Sequence, residues 1–383
     1  MLKRMMDFNN DIVKELKEKA IKDFNGVCEN VQHPHREDFL RITSNARILL
    51  KNFCKDSSNI FLDYIINERL GYYFENNYTR NIIKGKKNID IEKSQSVFIT
   101  AHLGAYKILN HYLILNKGIN ICLVISEEAK KEFEIRYFDL FNKYCQRYKS
   151  VGDFVILNAE DSKLFFKMKK YYKNNFSFLF YMDGNTGEGG TQVVNKNMKK
   201  ISFCNVEFFV RKGMSYVSKI FNIPIVPIFI PLNTGLIPEL NVFPKIFPRE
   251  SESIEDFSNR SISDLWDILA NYVQKVPYQW QGLNFIDMYY LPDQICEPTD
   301  YSPEDKLKFD KDRFKLLVNE GYYIFDTFHC KKYKLSKDLF LIIERIIKSS
   351  ISISFEDFRN LGSFYKRLLS FFTLRKDSIQ NEI

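Results

Sequence analysis

Between Ser96 and Ile230 the chain alternates short apolar runs with stretches of helical spacing, and this pattern leaves few folds open. The runs SVFITA, NICLVIS, DFVILN, FSFLFYMD and IPIVPIFI each hold six to eight residues, too few for buried helices and typical of strands covered on both faces. Between them AYKILNHYLILN, EFEIRYFDLFNKYCQRY, DSKLFFKMKKYYKN and GMSYVSKIFN place apolar residues three and four apart, as helices do. A further run, VEFFV, reads as a strand just before the last of these helices. Strands joined by helices imply βαβ units, so the expected fold is α/β, a mixed or mostly parallel sheet flanked by helices.

The flanking regions read differently. From Asn10 to about Phe74 the spacing is helical, and KNIDIEKSQ reads as a loop. After Pro231 the pattern loosens until a helix through ISDLWDILANYVQKVP. The stretch LPDQICEPTDYSPEDK has three prolines and several acids and reads as a linker. Short strands followed by helices come after it. The expected organisation is a helical region over 1–88, an α/β domain over 89–292 and a small α+β domain over 305–383.

Composition narrows the function classes. The 383 residues carry a net charge of +8, which suits phosphates, an acidic carrier protein or an anionic membrane surface, and equally suits a lysine-rich composition with no electrostatic purpose. The cations are scattered without a helix-turn-helix, zinc-finger or RNP pattern, so nucleic acid is not an expected partner. Seven cysteines lie far apart without a CxxC pair, arguing against a metal site or a disulfide framework and for reduced thiols in the cytoplasm. The amino-terminal stretch has charges throughout and no signal-peptide core, and the most apolar window, IFNIPIVPIFIPL, is short and broken by three prolines. A cytoplasmic protein with at most peripheral membrane contact is expected.

Three clusters carry chemistry. His102 follows the first strand directly, with Gly104 two residues on, and the carboxyl ends of strands are where α/β sheets gather ligands and catalytic groups. A neutral imidazole there is either a general base or a residue that caps the next helix. Asp183 ends the strand FSFLFYMD and opens the loop GNTGEGG, which has neither Walker nor Rossmann spacing. It is either a helper for His102, a ligand of an acceptor hydroxyl, or an ordinary turn residue. Arg211 and Lys212 precede a helix opening at about Gly213, an arrangement that is either an anion site or a solvated basic turn. No GxSxG or Cys–His signature supports a hydrolase nucleophile.

Taken in order, FITAHLGAYK, FLFYMDGNTG, EFFVRKGMSYVSKIFNIPIVPIF and VQKVPYQWQGLNF resemble the lipid A lauroyl/myristoyl acyltransferase family of the lysophospholipid-acyltransferase-like superfamily. The counterparts of its motifs are His102-Leu-Gly104-Ala105-Tyr106-Lys107, Asp183, Phe208-Phe209, Asn222-Ile-Pro224-Ile-Val-Pro227 and Pro277-Tyr-Gln-Trp280, spread over 91–287. The resemblance implies transfer of a fatty acyl group from an acyl carrier protein or acyl-CoA to a hydroxyl or amine. His102 would be the general base, and no bound cofactor or metal is implied.

The sequence departs from the family where the family places an acid to orient the base: that position is Lys107, which cannot accept the imidazole N–H. Asp183 or Glu188 would then take over, or His102 would act unassisted, or the chain would be a non-catalytic acyl- or peptide-binding subunit. Gly104, Lys107, Glu188, Arg211 and Lys212 are the expected substrate-binding residues. The carboxy-terminal segment resembles, more weakly, the winged-helix peptide-recognition domains of the PqqD type. That resemblance implies a peptide acceptor in a natural-product pathway, the alternative being an appendage that completes the fold. A transferase using a nucleotide donor in peptide maturation is a third reading.

Overall fold

The structure, a computed structural model, describes residues 2–50, 57–85, 91–148, 152–184, 196–289, 306–349, 353–354 and 372–374. It divides into two compact units, one of 1–25 with 46–291 and the other of 26–45 with 292–383.

The larger unit is built on a seven-stranded sheet. Its strands are β1 (Lys84–Gly85), β2 (Val97–Thr100), β3 (Asn120–Ile125), β4 (Phe154–Asn158) and β5 (Phe176–Tyr181), then β8 (Ile225–Phe229) and β9 (Glu239–Val242). Between them in the chain, β6 (Met198–Phe203) and β7 (Val206–Arg211) form a separate antiparallel hairpin. The sheet order is β1-β9-β8-β2-β5-β3-β4. Strands β4, β3, β5, β2 and β8 run parallel, and β9 pairs antiparallel with β8, so the sheet is mixed. Every residue of β2 and β8 is buried, as expected of parallel strands covered on both faces.

VEFFV is a strand as expected, but it pairs in this hairpin and not in the main sheet. The hairpin's residues alternate between buried and open positions over 198–211, so it has one face to bury and finds a local partner instead. Cys204 takes φ +55° at its turn.

Helices α1 (Leu2–Asp23), α3 (Ser57–Asn76), α5 (Glu127–Tyr148), α6 (Leu164–Lys173), α7 (Gly213–Phe221) and α8 (Ile254–Lys275) surround these strands, and α2 (Arg36–Leu49) has its first ten residues in the smaller unit. The expected helix after β2 is a short composite, a 3-10 turn at Tyr106–Ile108, α4 (Leu109–His111) and a π-helical turn at Tyr112–Asn116. Helix α8 starts eight residues before its expected beginning. Ser253 caps it by accepting the Asp256 N–H at 3.0 Å, and Glu255 and Asp256 complement the positive end of the helix dipole. Trp266, Leu265, Leu269 and Val273 of α8 are buried. Among the described residues, no helix is long and apolar enough to cross a membrane.

The smaller unit contains an antiparallel sheet of β11 (Phe314–Asn319), β12 (Gly321–Asp326) and β13 (Lys331–Leu335), with β10 (Lys306–Phe309) before it and helix α9 (Lys337–Ser349) after it. Its core joins Phe314, Leu316, Ile324, Leu339, Phe340 and Ile343. Strand β10 lies between β14 (Ile353–Ser354) and β15 (Phe372–Leu374). Residues 26–45 belong to this unit because the buried Arg36 guanidinium ties them in. It donates to the Leu316 carbonyl at 2.8 Å and to the Val27 and Cys28 carbonyls at 3.0 and 2.8 Å.

A candidate active site at the carboxyl ends of two adjacent strands

Strands β2 and β5 are parallel neighbours with Thr100 opposite Tyr181. Two residues beyond that pair stand His102 and Asp183, so register alone places them together. The Met182 N–H donates to the Thr100 carbonyl at 2.9 Å and carries the pairing past the strand ends. His102 Nδ1 lies 2.8 Å from Asp183 Oδ1, and the His102 backbone N–H reaches both carboxylate oxygens at 3.1 and 3.0 Å.

Asp183 is fully buried. Its second oxygen accepts the Trp280 Nε1–H at 2.7 Å, and the Tyr289 hydroxyl donates to its backbone carbonyl at 2.8 Å. With N–H donors on every side, the Asp183 carboxylate serves as acceptor and takes the hydrogen bond of Nδ1–H. That tautomer leaves Nε2 as the nitrogen able to take a proton. The imidazole is held on its faces as well: Tyr181 stacks on it at 4.7 Å between ring centres, and Tyr106 meets it edge-on at 4.8 Å. Burial pushes both phenols well above their ordinary range, so they stay neutral around the imidazole.

The loop carrying His102 is clamped by the segment 277–281. The Gly104 N–H donates to the Gln279 carbonyl and the Gln281 N–H to the His102 carbonyl, both at 2.8 Å. Gln279 bridges to Leu232 through its amide, accepting from the Leu232 N–H and donating to its carbonyl, each at 2.7 Å. Gly104 has φ +60°, and a Cβ there would lie 2.4 Å from the Ile230 carbonyl oxygen and 2.7 Å from Pro231 Cα. Position 104 therefore admits glycine for backbone approach, and no ligand contact is needed to explain it.

A cavity of about 280 Å³ opens beside His102 over the ends of β3, β4 and β5. Its wall is mainly apolar, with Val124, Leu164, Met168, Phe180, Met214 and Val217 among the lining residues. Arg211 and the first residues of α7, Gly213 and Met214, also line it. Lys212, expected beside Arg211, is absent from the lining. It is buried and paired with Glu255 at 2.7 and 2.8 Å, and Glu255 lies in the first turn of α8. Glu188 lies outside the described residues.

Lys107 is buried as well. Its ammonium sits 4.2 Å from the Tyr72 ring centre and 4.8 Å from that of Tyr106, in a cluster with Glu75 and Arg136. Burial lowers its pKa, opposed by the attraction of Glu75, while burial raises the Glu75 carboxyl against the pull of Lys107 and Arg136. Lys107 thus serves Glu75, and the carboxylate at His102 Nδ1 is that of Asp183.

No local sequence pattern marks Gln279, Tyr181 or Tyr289, and Trp280 is marked by the Pro-x-x-Trp element alone. That element was the available signal, since it marks Trp280, the donor to Asp183. Among the described residues, no cluster of three or more His, Cys, Asp or Glu could hold a metal ion.

No family model matches the chain, and no curated protein matches it. Among solved structures it is similar to the 1-acyl-sn-glycerophosphate (LPA) acyltransferase PlsC from Thermotoga maritima, at 11% identity and a TM-score of 0.29, over 63% of this chain and 99% of that one.

Proposed function

We propose that the protein is an acyltransferase that moves a fatty acyl group from a thioester to a hydroxyl or amine. The observation that carries this reading is the 2.8 Å pair of His102 Nδ1 and the buried Asp183 carboxylate beside a mainly apolar cavity. In the proposed reaction Nε2 takes the proton of the acceptor O–H or N–H as the acceptor attacks the thioester carbonyl. Asp183 stabilises the imidazolium that forms. The tetrahedral intermediate collapses, the C–S bond breaks, and the imidazolium returns the proton to the departing thiolate.

The cavity, near the roughly 300 Å³ lower end of small-molecule pockets, takes the chain of the donor. Arg211 and the amino terminus of α7 supply positive charge for the phosphate-bearing end of an acyl-CoA or carrier-protein donor. The acceptor is a peptide or a small lipid-like molecule, with the unit of 26–45 and 292–383 as the element that would hold a peptide. The work takes place in the cytoplasm, with peripheral contact at a membrane.

The test is intact-mass analysis of candidate peptide and lipid-like acceptors after incubation with acyl-CoA or acyl-carrier protein, alongside thiol release. An added acyl mass that disappears with His102→Ala supports the proposal. Thioester binding without transfer to any acceptor, or transfer that survives His102→Ala, overturns it.

A further inference from the structure

Helix α6 has two unlike faces. Leu164 and Met168 point to the cavity wall, whereas Phe165 is 41% exposed and Phe166 is 73% exposed. Helical spacing puts Lys163, Lys169, Lys170 and Lys173 three to seven residues from Phe166, on or beside its face. All four lysines are exposed, and Lys169, Lys170 and Lys173 have no acidic partner among the described residues; Lys167 is paired with Asp161, whose charge Lys163 also feels.

The apolar surface continues onto α7. The Phe165 ring stacks on Phe221 at 5.6 Å, Tyr172 stacks on the same ring at 4.7 Å, and the adjoining Ile220 is 46% exposed. A protein surface seldom carries a phenylalanine as open as Phe166 beside three lysines without acidic partners unless something covers it. Apolar side chains framed by lysines match the headgroup boundary of an anionic bilayer, which offers phosphates to the cations and acyl chains to the rings.

We propose that this α6–α7 face docks on an anionic lipid surface, with Phe165, Phe166 and Ile220 entering the boundary and the four lysines meeting lipid phosphates. The proposal builds on the acyl-transfer reading in one respect: α6 is also a wall of the cavity, so docking brings the proposed site to the source of its lipid-like substrates. Binding itself is measured apart from catalysis.

The test is co-sedimentation of the full chain with phosphatidylcholine vesicles, with and without roughly a one-third share of phosphatidylglycerol. The expected result is binding to the anionic vesicles only, weakening as salt rises. Phe166→Ser should lower affinity by about tenfold. Lys169→Ser with Lys170→Ser should lower it by about twenty-five-fold, roughly fivefold per charge. None of these side chains lines the cavity, so the same variants should unfold at the wild-type temperature and keep wild-type transfer to a water-soluble acceptor. Absence of binding to anionic vesicles, or equal binding by the variants, overturns the proposal. So does capture of an acidic carrier protein by this face without vesicle binding, which would make the partner a protein. A chain that binds vesicles as expected yet transfers no acyl group would sink the acyl-transfer reading and leave the docking surface standing.

Discussion

Replacing Asp183 by asparagine separates an orienting carboxylate from a buried turn residue. Every group facing its side chain is a donor: the His102 backbone N–H, His102 Nδ1–H and Trp280 Nε1–H. An amide has one accepting oxygen and one NH₂ group, so it cannot serve both Trp280 and His102. With its oxygen toward Trp280, the NH₂ faces Nδ1, which must become an acceptor; the proton then sits on Nε2 and the base is lost. With its oxygen toward His102, two donors meet at Trp280, and leaving one buried donor unpaired costs about 1–3 kcal/mol.

The first orientation avoids that cost, so the variant should fold with a loss of about 1–2 kcal/mol, the difference between charge-assisted and neutral hydrogen bonds. Its rate should fall by about 10³–10⁴-fold, or roughly 4–5.5 kcal/mol in the barrier. The assay is thiol release at saturating donor and acceptor, paired with urea unfolding of the same preparations. A folded Asp183→Asn protein within tenfold of the wild-type rate would refute the assignment of Asp183 as the partner of the base.

Gly104→Ala should destabilise the larger unit by about 2–4 kcal/mol, because the new Cβ meets the Ile230 carbonyl at 2.4 Å in a left-handed backbone; an unchanged urea midpoint would contradict the clamp geometry. Lys107→Glu should cost about 3–5 kcal/mol by placing a second buried carboxylate beside Glu75, and should not raise activity, since Asp183 already occupies His102 Nδ1. His111 is buried and its pKa is pushed down to about 3, chiefly by loss of water and further by Arg136, whereas the unfolded residue titrates near 6.5. Between those values the unfolded chain binds a proton that the folded chain does not. Stability should therefore be fully present above pH 6.5 and fall by about 1.4 kcal/mol per pH unit below it, until the folded imidazole also protonates. His111→Gln should remove that share of the slope, read from urea midpoints at neutral and mildly acid pH.

How much of the site could be read in advance depended on sequence distance. His102, Asp183 and Arg211 each end a strand, and strand ends are visible as the point where an apolar run stops. Trp280 and Tyr289 lie about a hundred residues from Asp183, and no local pattern shows that an indole N–H will point at a carboxylate. Lys107 illustrates the limit well. Its place in the motif poses the question of what it replaces, yet the answer lies in Glu75 and Arg136, on two other helices.

By itself the sequence determined the alternation of buried strands and amphipathic helices, the α/β class, and the strand ends at which His102 and Asp183 appear. Hydrophobic periodicity and glycine placement are local properties, and local physics suffices to read them. Only the tertiary structure decided that β2 and β5 are neighbours in register, that 198–211 folds as its own hairpin, that Lys212 turns to Glu255, and that residues 26–45 belong with the carboxy-terminal unit. Those outcomes depend on which distant groups compete for the same buried donors, acceptors and apolar surface, and that competition is settled by packing across the whole chain.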